Sequence, residues 1–166
     1  IVEPEKHDSV FKLGWYDLNE QWNDPSLFIE WTILKNVRSK VNQLLEVARS
    51  EKLIKSSLEA SVDLYVNAAL YDLLQKHDLK SIFITSSTTL NKNGSQSIDD
   101  SSGRKVQFSD NINITENNFN GSVKIVVREA DLHKCPRCWN YSSIEKNNLC
   151  PRCDDVLKSN KRVYFL

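Results

Sequence analysis

Residues 134–153, KCPRCWNYSSIEKNNLCPRC, decide the architecture of the C-terminal part of the chain, because they contain all four of its cysteines. Two identical Cys-Pro-Arg-Cys turns, at 135–138 and 150–153, are separated by eleven residues. Each turn can bring both sulfurs to about 2.3 Å from one ion, and the linker can fold back so that the second pair completes a tetrahedron. The spacing predicts one Zn²⁺ on Cys135, Cys138, Cys150 and Cys153.

Other kinds of cysteine site are compatible with the same residues but fit less well. An iron–sulfur centre, two disulfides and a redox pair all stay open. No secretory signal supports disulfides, and a redox pair leaves the doubled motif unexplained. His133 could replace one sulfur, although four thiolates suffice and a surface position is expected for it. Four protein ligands leave no place for a water nucleophile, so the predicted zinc is structural.

Basic and aromatic side chains surround the predicted sulfur ligands. Lys134, Arg137, Lys146 and Arg152 can neutralise the dianionic zinc–thiolate centre or face RNA phosphates, and both interpretations have equal weight. Trp139 is either a packing lid over a lobe with little other core or a platform for an unstacked base. The lid is the favoured interpretation.

The charge of the chain is zero in total but is distributed unevenly along it. Residues 1–80 contain 10 Lys and Arg against 13 Asp and Glu, whereas residues 134–166 contain 7 against 3. We therefore expect any attraction for polyanions at the C-terminal end. No stretch approaches the ~20 apolar residues of a membrane helix, so no membrane partner is predicted. Because the chain contains no Met and starts at Ile1, we expect a fragment of a longer protein.

The strongest helix signal lies upstream and begins at Asp24-Pro25, an N-cap followed by proline at the first helical position. Apolar residues then recur at three- and four-residue steps, and the pattern fades at about Leu53. Residues 1–23 are interpreted as an irregular lead-in with the aromatic anchors Phe11, Trp15, Tyr16 and Trp22. A basic stripe borders the apolar face, either covering apolar surface, which is favoured, or contacting phosphates; it consists of Lys35, Arg38, Arg49 and Lys52.

A small α/β unit is predicted to follow this helix. We expect a half-buried strand at 58–66, a helix from 68 to about 76, a second, parallel strand at 81–85 and a third strand at 123–128. Residues 88–121 are rich in Ser, Asn, Asp and Gly, which predicts a mobile and dispensable insertion. Short strands at 106–108 or 112–114 stay open. No catalytic residue is assigned, since the three histidines are scattered and no Gly-rich phosphate loop is present.

Two stretches together resemble bacterial-type isoleucyl-tRNA synthetase. Residues 134–142 with 149–153 are similar to the zinc-binding tail of that family, and Asp8 to Trp15 to its lead-in to the last helices. Between them, these residues follow the family's order and spacing: Trp31, Arg38, Val41, Leu45, Glu46, Ala48, Arg49, Lys52, Ile54, Ser57, Leu58, Glu59 and Ala60. Lys55 departs from the family, which usually has Gly there. The resemblance covers most of 8–86 and 123–157.

The resemblance implies the tRNA-binding C-terminal part of an isoleucine–tRNA ligase, whose ATP-dependent catalytic core lies outside this chain. The implied partners are tRNA(Ile), near its anticodon stem-loop, and the remainder of the synthetase in a monomer. The candidate RNA contacts are Lys134, Arg137, Trp139, Arg152, Arg38 and Arg49. From the Asn/Lys/Ile-rich composition we expect a mitochondrial or other organelle matrix, with a bacterial cytoplasm as the alternative.

The predicted fold class is α+β in three parts. Residues 1–57 end a helical anticodon-binding region, 58–132 form the α/β junction with the insertion, and 133–166 form the four-cysteine zinc domain and tail. One rival is the zinc-finger tail of a formamidopyrimidine-type DNA glycosylase, which would need an N-terminal Pro nucleophile and a helix-two-turn-helix. The other is a stand-alone zinc interaction module, against which the upstream helix pattern argues.

Overall fold

The computed structural model describes residues 9, 11, 14–15, 17–92, 108–116 and 118–161. They form a mixed α+β fold, as predicted, in which a long helix and two short helices accompany a four-stranded sheet that precedes the cysteine module. In chain order the elements are α1 (Pro25–Ser50), β1 (Ala60–Val66), α2 (Ala68–Leu74), α3 (Leu79–Phe83), β2 (Ser87–Lys92), β3 (Phe108–Glu116), β4 (Phe119–Glu129), β5 (His133–Lys134), β6 (Tyr141–Ser143) and α4 (Pro151–Lys161).

Helix α1 begins where the sequence predicts. The Asp24 carboxylate accepts hydrogen bonds from the amides of Ser26 (2.9 Å) and Leu27 (3.2 Å), and Pro25 occupies the first helical position. These bonds satisfy amides that have no partner within the helix. The helix ends at Ser50, three residues before Leu53.

The apolar face of α1 is buried only over its C-terminal two thirds. The buried side chains are Ile33, Leu34, Val37, Val41, Leu45 and Ala48. Leu27 and Trp31, which belong to the same predicted face, remain 47 % and 41 % exposed. Among the described residues of the first two turns of the helix, only Ile29 packs against the core, and it is partly buried.

The sheet has the strand order β2-β1-β4-β3. Strand β1 pairs in parallel with β2, and both pairs that involve β4 are antiparallel. In register, Val62 lies between Thr88 and Val127, and Leu64 faces Ile125. The side chains of one face are fully buried and join those of α1 in one hydrophobic cluster. The predicted half-buried strand at 58–66 is thus a central strand that starts at Ala60.

The predicted second strand at 81–85 is wrong, because these residues lie in α3 and just beyond it. The Asp78 carboxylate accepts hydrogen bonds from the amide (3.4 Å) and the hydroxyl (2.5 Å) of Ser81 and so caps a helix of five residues. A short apolar run cannot be distinguished from a buried helical segment by its pattern alone. The predicted parallel neighbour of β1 does exist, but it is β2, formed by Ser87–Lys92.

The predicted insertion at 88–121 is also partly wrong. Residues 88–92 belong to β2, 108–116 to β3, and the strand predicted at 123–128 extends back to Phe119. Ile112 and Ile114 pair with Val123 and Gly121 and join the core, while Asn111 and Asn113 are exposed on the opposite face of the strand. Alternation within a polar sequence is enough for an edge strand. Residues 93–107 lie outside the described residues.

The lead-in differs from the prediction in its aromatic residues. Phe11 and Trp15 are 94 % and 100 % exposed, so their side chains do not pack against the described part of the fold. Trp22 is 64 % exposed, and Tyr16 lies outside the described residues. Lys55, where the resembled family has Gly, does not have a positive φ; the nearby residue that does is Lys52 (61°). Within the described ranges, no helix is both long and apolar enough to cross a membrane.

Candidate metal centre and nucleic-acid interface

The first Cys-Pro-Arg-Cys turn connects the two strands of a small hairpin. Lys134 of β5 pairs with Tyr141 of β6. Inside the hairpin the Cys135 amide donates to the Asn140 carbonyl (2.8 Å), and the Trp139 amide donates to the Cys135 carbonyl (2.9 Å). The turn is closed by Trp139 in the left-handed region (φ 66°). These bonds hold Cys135 and Cys138 on the same side of the hairpin.

The second turn is fixed by the start of α4. Pro151 is its first residue, and the Asp154 amide donates to the Cys150 carbonyl (3.0 Å), so Cys150 and Cys153 lie one helical turn apart. The Cys150 amide also donates to the Sγ of Cys135 (3.3 Å). The two turns are therefore joined directly, with an amide directed at a sulfur.

The four sulfurs converge on one point. All lie within 4.8 Å of one another, and the Sγ atoms of Cys138 and Cys150 are 3.7 Å apart. A tetrahedral ion with metal–sulfur bonds of about 2.3 Å requires sulfur separations of about 3.8 Å, whereas a disulfide bond is about 2.05 Å long. Three of the cysteines are buried, and Cys138 is partly exposed. The four cysteines are positioned to hold one metal ion, and the geometry does not match the disulfide alternative.

The protonation of these thiols shows why a cation suits the site. Hydrogen bonding to the Cys138 amide lowers the pKa of the Cys135 thiol to about 6. Arg137 also lowers the pKa of Cys153, but burial and the other three thiols outweigh it and raise that pKa to about 11. Thiols that lie this close together cannot all lose their protons without a positive charge beside them. A divalent cation supplies it, and every thiol can then act as a ligand.

The candidate RNA-binding residues of this lobe differ in what they contact. The Arg137 guanidinium lies 3.5 Å from the Sγ of Cys153, and this thiol raises the pKa of Arg137. Lys134 places its Nζ 5.4 Å from the ring centre of Trp139. Arg152 and Lys146 are exposed, as is His133 on β5, which fits the expected surface position. The Arg137 guanidinium therefore contacts the sulfur cluster, whereas the side chains of Lys134 and Arg152 are exposed to solvent.

Trp139 is not the packing lid that the sequence favoured. Its side chain is 62 % exposed, and the apolar groups that pack against the buried cysteines are Cys138 and Leu149. The indole is therefore not part of the buried core of the lobe. An exposed indole supported by a lysine is compatible with the alternative role as a stacking platform.

The two candidate residues on α1 do not belong to the same cluster. Arg38 is exposed, and Arg49 forms an ion pair with Glu46 one turn earlier. Lys35 is exposed on α1, while Lys52 lies beyond the helix end. In the parts of the chain that the structure describes, no hydrogen bond or ion pair joins Arg38 or Arg49 to residues 133–153. The stripe is thus a separate surface.

Three polar residues attach the cysteine module to the sheet. The buried Ser86 hydroxyl donates to the Leu58 carbonyl (2.5 Å) and accepts from the Tyr141 amide (2.6 Å). The Tyr141 hydroxyl donates to the Glu59 carboxylate (3.2 Å), which also accepts from the Lys55 amide (2.8 Å). Sequence analysis missed these roles of Ser86 and Tyr141. Of the three residues, the sequence singled out only Glu59, because it lies in the run Ser57-Leu58-Glu59-Ala60 that resembles the ligase family.

Comparisons with known proteins agree with this geometry. Residues 133–156 match the family described as "Zinc finger found in FPG and IleRS". The isoleucine–tRNA ligase of Synechocystis sp. is 33 % identical to this chain over 187 residues, which cover 92 % of the chain and 19 % of that ligase.

The chain is a relative of the isoleucine–tRNA ligases.

Other relatives with the same name extend this relationship. The isoleucine–tRNA ligase of Acaryochloris marina is 35 % identical over 93 % of the chain and 16 % of its own length. That of Buchnera aphidicola is 30 % identical over 99 % of the chain and 17 % of its own length. This relative of the isoleucine–tRNA ligases therefore spans less than one fifth of the length of those proteins.

Proposed function

We propose that this chain is the tRNA-contacting C-terminal part of an isoleucine–tRNA ligase, with one structural Zn²⁺ on Cys135, Cys138, Cys150 and Cys153. The observation that carries the proposal is the convergence of four sulfurs within 4.8 Å, in a segment that matches a zinc finger found in FPG and IleRS. The alignment of over nine tenths of the chain with ligases supports this family over a DNA glycosylase tail or a stand-alone module.

The proposed zinc has a mechanical role. When bound, the ion joins the β5–β6 hairpin to the start of α4 and allows four thiolates to lie together. The chain supplies the remaining stabilisation, because the Cys150 amide and the Arg137 guanidinium are directed at sulfurs. No residue here is assigned to catalysis. In the proposed whole enzyme, ATP and isoleucine would react in other parts of the protein.

Exposed residues of the module would contact the RNA. Trp139 offers an indole face, and Lys134 and Arg152 offer charges that lie outside the sulfur cluster. Aromatic stacking on unstacked bases together with phosphate neutralisation is a common mode of single-strand recognition. The anticodon loop of tRNA(Ile) is the proposed target. Arg38 and Arg49 on α1 would belong to a second, weaker contact.

The proposed remainder of the ligase would cover the start of α1. Large apolar side chains are exposed at and before this end of the helix: Phe11, Trp15, Leu18, Trp22, Leu27 and Phe28. Such a concentration is typical of a surface that another part of a protein covers. The division at 57/58 and 132/133, the monomeric state and the organelle location stay predictions alongside this proposal.

Metal analysis and RNA binding test the proposal together. Protein purified without added zinc should contain one zinc per chain and should bind a tRNA(Ile) transcript with a strong dependence on salt. A duplex with an oxidised base, the ligand expected for the glycosylase alternative, serves as the control. Absence of zinc, or preference for the damaged duplex over tRNA, would refute the proposal.

A further inference from the structure

A cleft lined mostly by polar side chains lies between α3 and the cysteine module. It comprises a cavity of 440 Å³ and an adjoining one of 130 Å³. Lys80 of α3 and Arg152 of α4 line both cavities, together with Asn140 and the partly exposed Cys138. Two cations from elements 72 positions apart in sequence are thus brought to the same cleft.

Among the described residues, these two cations have no ion pair with a carboxylate, unlike five other basic residues. Lys76, Lys92, Arg49, Arg128 and Lys158 form ion pairs with carboxylates. In residues 17–92, 108–116 and 118–161, neither Lys80 nor Arg152 has such a pair. The one carboxylate in the lining, Asp78, accepts hydrogen bonds from the hydroxyl and amide of Ser81, which together with the weaker attraction of Lys80 lower its pKa, but it forms no ion pair with Lys80. The charge of the two cations is therefore available to a ligand.

A strained residue forms another part of the lining. Ile84 ends α3 in the left-handed region, with φ of 58°, and its side chain is 54 % exposed. A positive φ is a genuine outlier for a β-branched residue. Burial of the side chain does not compensate for this conformation. This conformation places an apolar side chain at the cleft beside the two cations. The apolar group suits the sugar of a nucleotide, and the two cations suit its phosphate.

We propose that this cleft binds a backbone phosphate of an RNA strand, with Lys80 and Arg152 as its ligands and Ile84 against the adjoining sugar. The inference rests on the proposed tRNA-binding function and adds Lys80 and Ile84 to the interface, which sequence analysis limited to the cysteine module and α1. The cysteine module and α3 would then contact the RNA strand from the two sides of the cleft.

Lys80→Gln in the zinc-loaded chain tests the inference, with Lys76→Gln as the matched control. Both lysines are in the same segment, but Lys76 does not line the cleft. Binding of a tRNA(Ile) transcript is measured as a function of salt, and zinc content is measured in parallel. We expect Lys80→Gln to weaken binding several-fold and to reduce the salt slope by about 1, as loss of one phosphate contact does. Lys80→Arg should restore both, and Lys76→Gln should change neither.

The alternative role of Lys80, neutralisation of the sulfur cluster, gives a different result. Lys80→Gln would then lower zinc content, and the weaker binding would follow that loss, which would overturn the inference. Unchanged tRNA binding by Lys80→Gln would overturn it as well, while leaving the proposed function intact. If the unaltered, zinc-loaded chain bound no tRNA, the inference and the proposed function would fail together.

Discussion

The Tyr141 hydroxyl donates a hydrogen bond of 3.2 Å to the Glu59 carboxylate across 82 positions of sequence. Glu59 stands immediately before the central strand β1, and Tyr141 begins the second strand of the cysteine hairpin. This contact and the Ser86 bridge fix the orientation of the module on the sheet. The finger is therefore a positioned element of the fold rather than an appendage on a linker.

Tyr141→Phe should loosen this attachment without removing zinc. A hydrogen bond to a charged group contributes about 1.5–3 kcal/mol, so we expect a loss of about 1–2 kcal/mol from the free energy of unfolding at this partly buried site. Chemical denaturation measures the loss. In a double-mutant cycle with Glu59→Ala, which removes the acceptor, the two losses should not add. Full additivity would show that the contact contributes nothing.

The same pair predicts a change of stability in alkaline solution. Burial and the Glu59 charge raise the pKa of Tyr141 above its usual value of 10.0. The unfolded chain therefore ionises at a lower pH than the folded one, and the stability that the neutral phenol provides is present below pH 10 and is lost as pH rises through the folded pKa. Between these two pKa values, the wild-type chain should lose more unfolding free energy than Tyr141→Phe. Parallel pH curves would contradict this.

Cys150→Ser should unfold the cysteine module and leave α1 in place. Metal binding and local folding are coupled, at about 10–16 kcal/mol in zinc-finger peptides. The hydrophobic cluster of α1 and the sheet contains no cysteine, so it persists. Hydrogen exchange should therefore become fast across residues 133–153 and stay slow across 33–48. A variant that kept one equivalent of zinc would disprove the four-cysteine assignment.

Trp139→Ala separates the stacking role from the lid role. Because the indole is exposed, its removal should leave zinc content and the unfolding free energy unchanged. If it stacks on a base, tRNA binding should weaken by about 1–3 kcal/mol. Zinc content and binding that fell in step would restore the lid interpretation.

Lys52→Gly should stabilise the chain. Lys52 has a φ of 61° just beyond α1, a conformation that costs an L-residue about 1–2 kcal/mol and glycine little. We expect a gain of about 1 kcal/mol in the free energy of unfolding. Lys55→Gly is the matched control, because Lys55 does not have a positive φ, and it should stabilise less or destabilise. The reverse order would place the strained turn at Lys55.

The sequence predicts best where one local interaction determines the structure. Asp24 and Pro25 fix the start of α1, and two Cys-X-X-Cys turns fix the sulfur cluster, so both were predictable. The short run Ile82-Phe83-Ile84 is ambiguous in itself, and an aspartate four residues before Ile82 decides that it is helical. β3 owes its pairing to β4 rather than to its own Asn-rich composition. Ser86 and Tyr141 meet only after the whole sheet has formed, which no local pattern can show.

The pairing of β1 with β4 also dictates the order of events on the ribosome. Ala60 is opposite Glu129, so the centre of the sheet cannot close until that residue has left the exit tunnel, several seconds after β1 at about 5–20 residues per second. Until then, the apolar side chains of α1 and β1 that pack against β4 lack that neighbour. The nascent chain thus has an interval in which chaperone binding competes with folding, and the cysteine module leaves the ribosome after β4.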